Sequence, residues 1–215
     1  MKTWITCLML LIGIGAQAQK TKIFSLSPMT KDTEKVNGLV IGIGHFQEPE
    51  IVQTINGVNI DIMPLSPLVT FLAVMYGRPF EQDDNEPLKL ISNGLNVGVA
   101  GYMGGVEHNG ASIAMYNTGY ASNGLGIHAA FNSTENLKGV HIAGIANSSK
   151  TSVGLNIAVY NNNSIMDGVQ IGLVNSSARL KGVQIGLFNK TEALRGLQLG
   201  VINTNGKRTL PFVNF

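Results

Sequence analysis

Apolar and polar residues alternate with a period of two along the last third of the chain. Within residues 168–175, one face of an extended segment carries Val169, Ile171 and Leu173, and the opposite face carries Gln170. A period of two is typical of a β-strand, because successive side chains point to opposite faces. We predict that the branched aliphatic face is buried, since each such side chain contributes roughly 1.5–3 kcal/mol when it leaves water. Gln170 is predicted to face solvent.

The same pattern recurs at a nearly constant spacing. Residues 168–175, 182–189 and 196–203 each begin with glycine and end with asparagine, and their glycines are 14 residues apart. Less regular copies begin at earlier glycines, with spacings of 14 to 16 residues from residue 94 onward. One short strand and one turn cannot bury an apolar side alone, so we expect neighbouring units to stack.

Two folds accommodate a unit of this length. At about 3.3 Å per residue, each unit is long enough for one coil of a β-solenoid or for one strand and turn of an antiparallel β-barrel. The recurrent asparagine favours the solenoid, in which stacked amides at one corner hydrogen-bond along the axis. The other interpretation is that asparagine tolerates left-handed turn geometry. These corner asparagines are Asn117, Asn132, Asn147, Asn161, Asn175, Asn189 and Asn203.

We therefore predict an all-β chain in which 14–15-residue repeats form a β-solenoid of about seven to ten coils. Residues 1–18 combine a basic residue, an apolar core and a small-residue cleavage site, which is typical of a secretory signal peptide. Residues 19–93 are predicted to be an irregular N-terminal cap with degenerate repeats, continuous with a repeat domain over residues 94–215. The apolar run in residues 68–75 is predicted to be a cap or a buried strand.

The best-preserved unit reads Gly-Val-Gln-Ile-Gly-Leu-Phe-Asn in residues 182–189, with Leu-Lys directly before it. In this order and spacing, residues 94–203 resemble the bacterial surface-repeat family that was first recognised in spirochaetes and is frequent in Bacteroidetes. Residues 38–62 resemble it more loosely. The resemblance implies an exported, surface-associated protein of unassigned molecular function, and it transfers no catalytic residue to this chain.

Composition narrows the function classes further. With 13% charged residues and a formal net charge of +2, the chain lacks the basic stripe that binds nucleic acid, so no nucleic-acid partner is expected. A hydrophobic content of 44% indicates a folded chain rather than a disordered one. Cys7, the single cysteine, falls in the predicted signal peptide, so neither a disulfide nor a thiolate-bound metal is expected in the exported chain.

Residues with catalytic or metal-binding potential are sparse. His128 and His141 fall in adjacent units, but a zinc site needs three or four ligands in close array, and we interpret both as tolerated surface positions. The acidic run in residues 81–86 lacks the glycine and terminal glutamate of a calcium-binding loop. No Gly-x-Ser-x-Gly elbow is present. We predict no catalytic residue, no cofactor and no metal site.

The sequence thus predicts an exported, non-enzymatic surface or structural repeat protein that serves as a binding scaffold. Its predicted location is the cell surface, the outer membrane or the periplasm, and a cell-envelope component or a glycan is the partner class considered. The alternative is a small outer-membrane β-barrel protein, because residues 210–215 form an aromatic terminal strand. A membrane strand, however, needs about 9–11 alternating residues, more than each unit supplies.

Overall fold

The structure is a computed structural model in which the described residues are 20–45, 51–75, 87–102 and 104–215. The predicted signal peptide, with Cys7, and the acidic run in residues 81–86 lie outside them. The elements are β1 (Thr21–Ser27), β2 (Lys35–Gly42), β3 (Gln53–Asp61), α1 (Ser66–Met75), β4 (Leu90–Gly98), β5 (Val106–Ala143), β6 (Ala146–Ile157), β7 (Tyr160–Ile171), β8 (Val174–Ile185), β9 (Phe188–Asn205) and β10 (Arg208–Asn214).

Strands β1 to β9 follow one another in a single sheet, and each pairs in parallel with the next. The pairing keeps the repeats in register, so that Gly154, Gly168, Gly182 and Gly196 lie opposite one another in β6 to β9. Successive units therefore stack as coils, about 11 in all with a spacing of about 15 residues. The β-solenoid prediction is confirmed. The antiparallel barrel is wrong, because a meander would require neighbouring strands to run in opposite directions.

From β2 onward, one glycine in each coil makes a corner that other residues cannot make. At Gly182 the backbone φ is 140°, in the region that favours glycine. A Cβ atom at Gly182 would also collide with the carbonyl oxygen of Gly168 in the preceding coil. Backbone conformation and the close approach of the coils therefore both require glycine. The corner glycines, all with positive φ, are Gly38, Gly57, Gly94, Gly110, Gly124, Gly139, Gly154, Gly168, Gly182 and Gly196.

Polar side chains line the interior of the C-terminal coils. Gln170 is fully buried, whereas Leu173 on the other face of the strand is 52% exposed. The prediction of a buried aliphatic face and an outward Gln170 is therefore wrong. A period of two identifies which side chains share a face, but it does not determine which face surrounds the axis. Amides in successive coils hydrogen-bond to one another, which removes most of the cost of burying them.

Apolar side chains fill the interior mainly in the N-terminal coils. One cluster consists of Met29, Val36, Val40, Ile55, Leu90, Tyr102 and Val106. A second consists of Ala100, Tyr116, Ala130 and Phe131, with Met63, Met115 and Ala146 packed against it. In β7 and β8, the buried apolar side chains are Met166 and Leu180. The interior thus changes from a mixture of apolar and polar side chains, such as Ile55 and Asn59, to a largely polar one along the solenoid axis.

Helix α1 lies between β3 and β4, which nevertheless pair directly with each other. The buried-strand interpretation of residues 68–75 is wrong, because the segment is helical and both Leu68 and Phe71 are exposed. Pro67 falls in the first helical turn, where the missing N–H leaves no hydrogen bond unmade. Among the described residues, no helix is long and apolar enough to cross a bilayer.

A reversed strand closes the C-terminal end of the solenoid. Strand β10 pairs antiparallel with β9. Within it, the side-chain amide of Asn214 donates to Oε1 of Gln198 at 3.0 Å. The guanidinium of Arg208 lies 4.7 Å from the centroid of the Phe215 ring. The buried side-chain amide of Gln198 in β9 therefore has a hydrogen-bond partner in β10.

Candidate functional site

The seven corner asparagines lie inside the coils, where all of them are buried. The amide nitrogen of Asn161 donates to Oδ1 of Asn175 and to the carbonyl oxygen of Ile171, both at 2.9 Å. Asn175 makes the same two bonds one coil further on, to Asn189 and Ile185, again at 2.9 Å. None of the seven has a positive φ, so left-handed turn geometry does not account for them. They form a buried amide column, which we call the asparagine column.

The asparagine column is interrupted in the middle of the solenoid. Asn117 donates to Asn132 at 3.0 Å, and Asn147 donates to Asn161 at 3.2 Å. Between these pairs, Nδ2 of Asn132 lies 3.2 Å from Nδ1 of His141, and Oδ1 of Asn147 has no hydrogen-bond partner among the described residues. The interruption falls in the coils that carry one extra residue between the corner glycine and the asparagine.

A second amide column runs inside the coils with the opposite polarity. Gln184 donates to Oε1 of Gln170 at 2.7 Å, and Gln198 donates to Gln184 at 2.8 Å. These amides donate toward the N-terminus, whereas the asparagines donate toward the C-terminus, so the dipoles of the two columns oppose each other. Gly186 leaves room for the side chains of the asparagine column, since a Cβ there would come within 2.6 Å of Nδ2 of Asn175.

A third amide column, which the sequence analysis missed, lies on the outside of the N-terminal coils. Its members immediately precede corner glycines, and each donates to the one before it at 2.7 to 3.0 Å. They are Asn37, Asn56, Asn93, Asn109 and Asn123. The Asn-Gly pair that recurs in the sequence of these coils is the pattern from which this column could have been predicted. The column adds side-chain hydrogen bonds to coils whose interior contains the two apolar clusters.

Three histidines form a buried group near the middle of the axis. His108, His128 and His141 are each at most 2% exposed, so the interpretation of His128 and His141 as surface positions is wrong. Gly126 makes room for them, because a Cβ there would lie 2.7 Å from Nδ1 of His141. Burial, with smaller contributions from the charges of His141 and His108, lowers the pKa of His128 to about 3. These histidines are therefore neutral in the folded chain at pH 7.

The described residues contain no group of three or more histidine, cysteine, aspartate or glutamate side chains that could hold a metal ion.

A polar cluster nearer the N-terminus contains residue types that are found in hydrolytic sites. Oδ2 of Asp61 accepts from Nδ2 of Asn59 at 2.7 Å and lies 3.7 Å from Nε2 of His45. The hydroxyls of Ser92 and Tyr102 are 2.5 Å apart. All of these side chains except His45 are buried. A cavity of about 20 Å³, which admits one water molecule, lies beside His45, and neither Asp61 nor Ser92 lines it.

One side of the outer surface carries no polar side chain. We call it the aliphatic face and define it as the residues one and three places after each corner glycine. None of these residues is buried, and Ile113, for example, is 47% exposed. The face consists of Leu39, Ile41, Val58, Ile60, Leu95, Val97, Ala111, Ile113, Leu125, Ile127, Val140, Ile142, Leu155, Ile157, Val169, Ile171, Val183, Ile185, Leu197 and Leu199.

Further aliphatic residues extend this face at the bend that follows it. They are exposed, and they include Val159, Leu173, Leu187 and Val201. Asparagine or a charged residue instead precedes the corner glycine in nine of the ten coils, and Lys181 pairs with Asp167 at 2.9 Å. We call this the polar side; it also carries exposed apolar residues such as Val153 and Ile165, whereas the aliphatic face carries no polar residue.

No protein-family model, no curated protein and no solved structure shows significant similarity to this chain. The resemblance to the bacterial surface-repeat family stays a prediction from the repeat motif. Any functional assignment must therefore be argued from the geometry of the coils.

Proposed function

We propose that this protein is an exported, non-enzymatic structural repeat protein that works by binding through its aliphatic face. The observation that carries the proposal is the continuity of that face. All 20 of its positions are aliphatic, and none is buried. Soluble monomers rarely expose an apolar patch larger than about 300–600 Å², and larger patches mark interaction sites.

The dimensions of the face exceed an ordinary surface patch. Ten coils at a strand spacing of about 4.8 Å extend for about 43 Å. Across the strand, the columns one, three and five places after the glycine span about 13 Å, because alternate residues are about 6.6 Å apart. With the width of the side chains added, the face and the bend residues beside it together cover roughly 700 Å², above the usual range for a monomer.

The interior of the coils supports a scaffolding role. The asparagine and glutamine columns tie each C-terminal coil to the next by side-chain hydrogen bonds, in addition to the parallel backbone pairing. A stack of this kind holds its outer side chains at fixed spacing, so a partner binds without ordering the scaffold first.

Two coils that are separated by one other coil provide a matched pair of variants for testing the face. Ile142 belongs to the aliphatic face and is 37% exposed, whereas Ile165 lies on the polar side of its coil and is 36% exposed. Both residues are within strands, so a glutamate at either position has a similar effect on the backbone. Only Ile142→Glu places a charge on the proposed binding surface.

The proposal is tested by fractionating cells of the native host that express the wild-type chain, Ile142→Glu or Ile165→Glu. The wild type and Ile165→Glu are expected in the cell-envelope fraction, accessible to protease added to intact or osmotically shocked cells. Ile142→Glu is expected to be exported but released into the soluble fraction. Recovery of the wild-type chain in the cytoplasm, or equal retention of both variants, would contradict the proposal.

A further inference from the structure

We propose that the partner of the aliphatic face is a second copy of this chain, which packs the same face against it in a two-fold symmetric pair. This inference rests on the function proposed above, because it identifies what covers the face: the envelope then retains the pair, and Ile142→Glu is released because single chains are not retained. It goes beyond that function in assigning the oligomeric state and the residues at the centre of the interface.

The area of the face is that of a stable dimer interface. Specific interfaces bury about 800 Å² on each partner, and the face together with the residues of the following bend offers roughly 700 Å². These bend residues, such as Leu173 and Val201, each 52% exposed, are already included in that area. A small ligand or a single peptide strand would cover only a fraction of this surface.

The face is also complementary to itself. Its two columns carry an aliphatic side chain in every coil, in register from β6 to β9, so they form ridges about 4.8 Å apart. The ridges of one copy fit the grooves of another at the usual separation of packed sheets, about 10 Å. No charge lies on the face, so a two-fold axis brings no like charges together. A partner that recognises charge has nothing to bind on this surface.

Symmetry identifies the central residues. Gly124 and Gly139 are the fifth and sixth of the ten corner glycines, so the middle of the face falls between their coils. A two-fold axis normal to the face passes near Ile127 and Ile142, which lie three places after these glycines. A glutamate at residue 142 would therefore be buried close to its own symmetry mate, which like-charge repulsion and desolvation both disfavour.

The test is sedimentation equilibrium of the purified full chain over a wide concentration range, with wild type, Ile142→Glu and Ile165→Glu compared. The wild type and Ile165→Glu are expected to reach twice the mass of one chain. Ile142→Glu is expected to weaken the dimer roughly a hundredfold or more. Circular dichroism of each variant establishes that the coils are intact. The double variant Ile127→Thr/Ile142→Thr keeps β-branched side chains, so it tests the same interface if the glutamate variant does not fold.

A wild-type chain that is monomeric at every concentration would overturn the inference, as would a dimer that both the glutamate and the threonine variants leave intact. A mass that keeps growing with concentration would also overturn it, because a closed two-fold pair cannot extend. If the wild type is monomeric but binds vesicles of neutral phospholipid through Ile142, the second copy is excluded while binding through the aliphatic face stands. If the chain neither dimerises nor binds vesicles, and the envelope fractionation is also negative, the proposed function fails as well.

Discussion

At the scale of single residues, the amide side chains of the interior are the main departure from an ordinary core. Gln170 donates to Oδ1 of Asn163 at 2.7 Å and accepts from Gln184 at the same distance. Gln170 is thus both donor and acceptor, and amides of the neighbouring side chains supply both partners. A carboxylate in such a column would lose the donor and place a charge among buried polar atoms, which is far more costly than losing an exposed methyl group.

Two adjacent residues test this assignment of inside and outside. Gln170→Asp is expected to lower the free energy of unfolding by about 3 kcal/mol or more, because it buries an unpaired charge. Ile171→Asp is expected to cost about 1 kcal/mol, mainly through lower β-propensity on a half-exposed surface. Urea denaturation at pH 7, at a concentration low enough for the chain to be monomeric, measures both. A larger loss for Ile171→Asp would mean that the aliphatic face is the interior after all.

At the scale of the element, the corner glycine makes a coil out of an extended strand. Strand β8 continues from Val174 to Ile185 through Gly182, so one strand forms two sides of a coil. The stacked corners bring the backbone of each coil against the carbonyl of the one before it. The antiparallel β10 then covers the last parallel strand, which limits the exposed edge to which further chains could add.

Gly182→Ala tests the role of the corner. Alanine is strained at a φ of 140°, and its Cβ would collide with the carbonyl oxygen of Gly168. We expect a loss of about 3 kcal/mol or more in the free energy of unfolding, measured by urea denaturation. Ser176→Ala, an outward change to the same residue type in the same coil, is expected to stay within about 0.5 kcal/mol of wild type. Similar stability of the two variants would show that the corner tolerates a side chain.

At the scale of the whole molecule, much of the axis is polar and one outer side is aliphatic, which reverses the usual arrangement of a soluble domain. Hydrogen-bonded amide columns and backbone pairing hold the C-terminal coils together, while two apolar clusters hold the N-terminal coils. The buried histidines His108, His128 and His141 lie where these two kinds of interior meet. Burial lowers the pKa of all three, so the molecule as a whole should be sensitive to acid.

The pH dependence of global stability follows from these pKa shifts. In the unfolded chain histidine titrates near pH 6.5, whereas His128 in the fold titrates near pH 3. Stability is therefore complete above about pH 6.5 and falls as the pH drops below it, because only the unfolded chain takes up the proton. Between pH 8 and pH 5, His128 alone should lower the free energy of unfolding by about 2 kcal/mol.

Urea denaturation at pH 8, 6 and 5 measures this loss. The variant His128→Gln, which cannot titrate, should lose less stability between pH 8 and pH 5 than the wild type does. Equal stability of the wild type at pH 8 and pH 5 would mean that His128 is protonated in the folded chain or lies in contact with solvent.

The amino-acid sequence by itself determined the repeat, its strand character and the β-solenoid. A glycine every 14 residues and an apolar alternation of period two are local patterns, and stacking is the way such short units bury surface. The same patterns predicted neither the outer asparagine column nor helix α1. Local propensity determines neither which asparagines stack in a column nor which structure an inserted segment adopts. Both depend on contacts with the neighbouring coils.

Only the tertiary structure decided which side of the strand closes around the axis. Alternation separates Gln170 from Ile171 but treats the two faces alike, and hydrophobicity alone favours burying Ile171. Stacking changes the balance, because in-register coils give Gln170 and Asn175 the hydrogen-bond partners that a single strand lacks. The aliphatic side is then left outside, where association with another surface is the remaining way to remove it from water.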